Sequence, residues 1–237
     1  VGNSNRYNGE YNTLIGTVNQ DGTPENSGQA GFKSTLIGYG NGTESKFSTL
    51  LGNDNIIKGL AYESIAIGTN NRIYANTGQS IVIGSNASVS GTRGIAIGWR
   101  TRVSDADGLA IGNNAVAEYE RAVAYGGGAQ AKYKYSLAIG SAALTGSNAE
   151  SAVAVGYGAQ ANGTRSISIL GQAAGENDVV IGFGSTSKGA SQSNNVVLGV
   201  GNQIYTAKNV VIGNNISINP TDHVSGGILL GDGSRVR

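Results

Sequence analysis

The side chains able to do chemistry are few, and several recur at one spacing. Asp105 with Asp107, and Glu118 with Glu120, come nearest to the paired carboxylates that a carbohydrate-cleaving chain needs. Three of these acids meet a base fourteen residues further on: Asp107 and Arg121, Glu118 and Lys132, Glu120 and Lys134. If fourteen residues make one coil of a stacked structure, the members of each pair lie about 4.8 Å apart along the stack. All three pairs are opposite in sign, so solvated ion-pair ladders explain them better than catalysis, each worth ~0–1 kcal/mol. His223, the one histidine, lies in a loop with Pro220 and has no neighbouring cluster of ligands, so it reads as a surface residue. The chain has no cysteine, which removes thiolate metal sites and disulfides. Gly126-Gly127-Gly128 lacks the Gly-Lys-Ser/Thr ending of a phosphate loop and reads as turn geometry. The expectation is a chain that is not an enzyme and needs neither metal nor cofactor.

The spacing belongs to the backbone as much as to the charges. Gly94-Ile95-Ala96-Ile97-Gly98, Gly108-Leu109-Ala110-Ile111-Gly112, Ala122-Val123-Ala124-Tyr125-Gly126 and Ser136-Leu137-Ala138-Ile139-Gly140 close on glycines fourteen residues apart. A period of this length marks a solenoid. The alternation before each glycine is a short two-faced strand, and a weaker alternation after it (Ala115 and Ala117, Ala129 and Ala131) is a second strand. No useful helix fits in such a repeat. Taking the glycine as the anchor of a coil gives sixteen coils from Gly2 to Gly231, the first partial, with Leu170 standing where glycine is expected. The fold predicted is all-β, a parallel β-roll or β-solenoid of about fourteen-residue coils.

Residues 1–237 read as one repeat domain and as a segment of a longer fibre. Residues 1–60 are outer coils with a loop inserted at 17–33, its polar part at 20–28; 61–175 are regular Ala-rich coils; 176–237 are rich in Asn and Val, with a second loop at 219–226. Only 13% of residues are charged and the net charge is +1, which argues against a nucleic-acid partner. No apolar run approaches the ~18 residues of a spanning helix, so no membrane insertion is expected in this segment.

Two residues before the anchor, the middle coils carry Ala96, Ala110, Ala124 and Ala138, while outer coils carry Leu36, Leu50, Val197 and Val211. The neighbours on the opposite face are also apolar, so both faces of this strand need cover. One face fills the roll, and partner chains are the cheapest cover for the other. Either the Ala row faces the partner, bringing chains closest in the middle, or it lines a roll that is thin there. The first arrangement, with Ala96, Ala110, Ala124 and Ala138 at the interface, is the one favoured.

Ser136-Leu137-Ala138-Ile139-Gly140-Ser141-Ala142-Ala143 and Ser151-Ala152-Val153-Ala154-Val155-Gly156-Tyr157-Gly158-Ala159-Gln160-Ala161 resemble the head repeats of the YadA-like trimeric autotransporter adhesins. The resemblance is strongest over 64–161. It implies a left-handed roll, a homotrimeric rod, and display outside a bacterial cell on an outer-membrane anchor that lies in other parts of the protein. Similar repeats occur in trimeric phage tail fibres, so a virion tail-fibre segment binding the bacterial surface is the alternative. A polysaccharide-degrading tailspike and an ice-binding surface fit less well. Neck, coiled-coil heptads and membrane barrel are not seen. The partners implied are two further copies of the chain and a glycan or protein receptor on the host surface.

Recognition residues are sought among aromatic groups and loops. Trp99 follows its anchor glycine, with Arg100 and Arg102 beside it; Tyr119 and Tyr133 are fourteen apart. These are candidate receptor contacts or, alternatively, trimer seam and turn cover. Asp21, Thr23, Glu25 and Asn26 of the inserted loop complete the candidate receptor-binding set.

Overall fold

The computed structural model describes residues 1–7, 10–21, 33–74, 77–188 and 193–233. The chain falls into two compact units, Val1–Arg121 and Ala122–Arg237. Both are stacks of coils in which each coil between the first and the last contributes one strand to each of two parallel sheets. In the first unit the longer strands, among them Thr35–Tyr39, Thr49–Asn53, Ile65–Thr69, Ile81–Ser85 and Ile95–Trp99, form one sheet. Two-residue strands such as Gly42–Thr43, Ile56–Ile57 and Arg102–Val103 form the other. The second unit repeats the plan, from Val123–Tyr125 to Ile228–Leu230 and from Gln130–Ala131 to Ser217–Ile218. Among the described residues the one departure from strand and turn is a single 3-10 turn at Pro220–Asp222. The fold is the parallel β-solenoid that the repeat predicts.

Register follows the repeat residue for residue: Ile81 pairs with Ile95, Val82 with Ala96, and Gly84 with Gly98. The anchor glycine permits this stacking. At Gly68 φ is +121°, and a Cβ there would lie 1.9 Å from the carbonyl oxygen of Gly84 in the next coil. No side chain fits in that gap, so a bulkier residue would force the coils apart.

Leu170 stands at the anchor position, as the sequence reading has it, in a shortened turn. Between Val155 and Gln160 one coil uses four residues, whereas between Ile169 and Gln172 the next uses two. Leu170 makes the anchor's hydrogen bond, N–H to the Val155 carbonyl at 2.9 Å, and also takes the left-handed turn conformation, φ 60°. One residue does the work of three, and the strands on either side keep their register.

The inserted loop also begins later than its composition implies. Gln20–Asp21 is a strand, paired with Arg6–Tyr7 on one side and Gly42–Thr43 on the other. The longer gap between Gly16 and Gly38 leaves the pairing of those two glycines intact.

The interior is filled by one residue from each strand. Leu50 and Ile57 fill one coil of the first unit, Val82 and Val89 another, Ala110 and Ala117 a third, all without exposed surface. In the second unit Ala124 and Ala131 give way to Val197 with Ile204 and Val211 with Ile218. The Ala row therefore faces inward. Ala96, Ala110, Ala124 and Ala138 are all 0% exposed within a single chain. This overturns the expectation that they meet a partner: a side chain with no surface in one chain has none to offer a second. Strand alternation separates two faces without saying which is inside. The absence of exposed surface at these positions within one chain identifies the interior.

A second interior column is polar. Asn19, Asn41, Asn55 and Asn71 each stand three residues after an anchor glycine and are fully buried. The Asn55 Nδ2 donates to the Leu51 carbonyl at 3.1 Å and to the Gly68 carbonyl of the next coil at 2.8 Å. Its Oδ1 accepts from the N–H of Asn71 at 3.2 Å, and Asn71 and Asn41 repeat these contacts. The ladder satisfies backbone groups at a corner where the strands stop. It ends at Ala87, whose N–H donates to the Asn71 Oδ1. In the second unit Asn202 makes the same bonds, to the Leu198 and Gly213 carbonyls.

Candidate contact surfaces

With the middle residue of each long strand inside, its two neighbours project outward. In the first unit these are Ile65 and Ile67, Ile81 and Ile83, Ile95 and Ile97, all only partly covered. In the second they include Leu137 and Ile139, Val153 and Val155, and Tyr125, which is 54% exposed. Each unit thus carries two parallel outward rows of large apolar groups on one sheet. The outward positions of the short strands are of another kind: Arg72, Ser88 and Arg102 in the first unit, Gln130, Gln160, Gln172 and Gln203 in the second. The coil therefore has one apolar outer face and one that is mainly polar, with Ile56, Val116 and Leu144 as its apolar exceptions. The sequence reading placed the Ala row, rather than these rows, on the outer face of the strand.

Trp99 ends its strand and is 42% exposed. The Arg100 guanidinium lies over the indole, 4.2 Å from the ring centroid, a cation–π contact. Arg102 projects from the following short strand and reaches Glu118 at 3.4 Å. One coil thus brings Trp99, Arg100 and Arg102 together. Tyr119 is exposed in the same unit, and Tyr133, in the second unit, is half-buried. Thr23, Glu25 and Asn26 lie outside the described residues.

Asp21 is a correction. It points into the roll, is 1% exposed, and offers nothing to a receptor. Its Oδ2 accepts from Asn12 Nδ2 at 2.5 Å, while its Oδ1 is buried without a partner. Burial pushes the carboxyl up from 3.8 to about 6, opposed by the Asn12 hydrogen bond.

The charged column is built on a pair the sequence reading did not single out. Asp107 is held in a two-pronged contact by Arg93, at 2.6 and 3.0 Å, and meets Arg121 at 3.9 Å. The Arg93 hydrogen bond holds the Asp107 carboxyl below the usual carboxylate range. Glu118 and Glu120 find Arg102 and Arg121 within their own unit. Arg93 and Asp107 are themselves fourteen apart, so the spacing held the signal. Among the described residues no group of three or more His, Cys, Asp or Glu is placed to hold a metal ion. No helix there is long and apolar enough to cross a membrane, which says nothing of β-barrels. His223 ends the 3-10 turn in the left-handed conformation.

No curated protein matches the chain. The family model of the YadA head domain repeat (2 copies) matches residues 78–101, 106–129 and 147–169. The first segment contains the Ile95–Trp99 strand and Arg100, and the third contains the strands Val153–Val155 and Gln160–Ala161. The coils outside the matched segments keep the same two strands and the same register. The matched segments are similar to YadA head repeats.

Proposed function

We propose that the chain is a non-catalytic segment of a trimeric attachment fibre, displayed outside a bacterial cell and binding a glycan or protein on the host surface. The observation that carries this reading is the pair of outward apolar rows. An Ile left partly exposed forgoes roughly 1 kcal/mol that its burial would contribute, and the loss recurs in coil after coil. Soluble monomers avoid a continuous stripe of this kind. Two further copies around a common axis cover it with the same side chains from each chain, and the YadA head match supports this assembly. The polar outer face then turns to the medium. Trp99, Arg100 and Arg102 form its proposed receptor contact, with Tyr119 and Tyr133 as further contacts, and Thr23, Glu25 and Asn26 as loop contacts. Beads coated with the 237-residue chain should attach to host cells or matrix, and loss of attachment on Trp99→Ala with Arg102→Ala would support this patch. Beads that attach no better than uncoated ones would remove the adhesion reading.

A further inference from the structure

On the polar face of the first unit one coil lacks outward side chains where its neighbours have them. Gly40 and Gly42 replace the Val18 and Gln20 of the coil before and the Asp54 and Ile56 of the coil after. The result is a trough of about 460 Å³ crossing the face, walled by those four residues, with Tyr39 at one end and Glu44 and Lys58 at the other.

Gly42 is not demanded by the backbone. It lies in a strand, outside the left-handed region, and the nearest atom to a Cβ built on it is the Gln20 carbonyl oxygen at 3.9 Å. An anchor glycine such as Gly68 has no room for a side chain; Gly42 does. A glycine inside a strand weakens it and often marks a place where a ligand approaches the backbone. At Gly42 the trough is thus a gap that the backbone does not require.

Its lining selects an occupant. The walls are two coils apart, about 9.6 Å between backbones, the width of one extended chain. The Gln20 and Gly42 N–H groups already donate along the stack, to the Asn41 and Asn55 carbonyls at 2.8 and 2.9 Å. The floor therefore offers no strand edge to an added peptide. Recognition falls to side chains. Tyr39 presents a ring 53% exposed. The Asp54 carboxylate leans toward Gly40, and Glu44 is fixed by the Gly59 N–H at 3.1 Å. These carboxylates accept hydrogen bonds from hydroxyl groups, the Lys58 ammonium donates, and an aromatic ring suits the C–H face of a pyranose. Two carboxylates against one ammonium disfavour an anionic ligand.

We propose that the Gly40–Gly42 trough binds a neutral linear oligosaccharide, with Tyr39 as its stacking platform and Asp54, Glu44 and Lys58 reading its hydroxyls. The proposal rests on the attachment reading and gives it a second, separate site. The 237-residue chain is tested against immobilised neutral and sialylated oligosaccharides, with saturation-transfer NMR on the best neutral binder. Gly42→Gln refills the trough with the side chain of the preceding coil, and Tyr39→Ala removes the platform. The expected result is binding of neutral glycans by the wild type and at least tenfold weaker binding in both variants, with a thermal midpoint for Gly42→Gln that is unchanged or raised. Absence of neutral-glycan binding, a preference for sialylated glycans, or binding unchanged in either variant would overturn it. A lowered midpoint for Gly42→Gln would also overturn it, by showing the trough already filled by the chain itself. Bead attachment that survives Gly42→Gln keeps the fibre reading while excluding the trough as its receptor site.

Discussion

Asp21→Asn should stabilise the chain, and only above mildly acidic pH. Asp21 sits inside the roll with one oxygen bonded to Asn12 and the other bare. The folded chain holds this proton up to a pH of about 6, against 3.8 for an ordinary carboxylate. The stability tied to that proton is complete below about pH 3.8 and is lost as pH rises through about 6. At ~1.4 kcal/mol per pH unit the loss is on the order of 3 kcal/mol. Asparagine has the same shape, still accepts from Asn12, and carries no charge to desolvate. The variant should match the wild type near pH 4 and exceed it by on the order of 3 kcal/mol at pH 7.5, or about 6 °C in midpoint for a chain of this length. Thermal unfolding followed by circular dichroism from pH 3.5 to 8 reads the difference. A difference that is flat with pH, or that shrinks toward neutrality, would refute the reasoning.

Two further changes probe the scaffold. Asn55→Ala removes a donor from the Leu51 and Gly68 carbonyls and the acceptor of the Asn71 N–H, so it should cost ~2–4 kcal/mol. The exposed Asn148→Ala should stay within ~0.5 kcal/mol in the same urea titration. Gly68→Ala places a methyl 1.9 Å from the Gly84 carbonyl and should cost upward of ~3 kcal/mol, seen as loss of soluble protein or a midpoint more than ~6 °C lower.

The period of the anchor glycines made the two strands per coil, the parallel stacking and the register legible in the sequence. Its mistakes have physical causes. Alternation cannot say which face is interior, and the Ala row was placed outside because small residues suit close approach of chains. Gln20–Asp21 looked like loop because its residues are polar, yet inter-coil backbone bonds hold a two-residue strand whatever its side chains. The Asn ladder stood at a fixed offset from the anchors, but polar residues at a coil corner resemble turn residues until their carbonyl partners are placed. The Gly42 trough was not readable at all, since a glycine in a glycine-rich repeat does not announce that it is optional.

The central claim is that the outward rows of the long strands are covered by further copies of this chain. Sedimentation equilibrium of the 237-residue chain at micromolar concentration, beside Ile83→Asp with Ile97→Asp, tests it most directly. The account predicts a wild-type mass three times the 24.0 kDa of one chain, and dissociation or aggregation of the variant. A monodisperse 24.0 kDa wild-type species would contradict it.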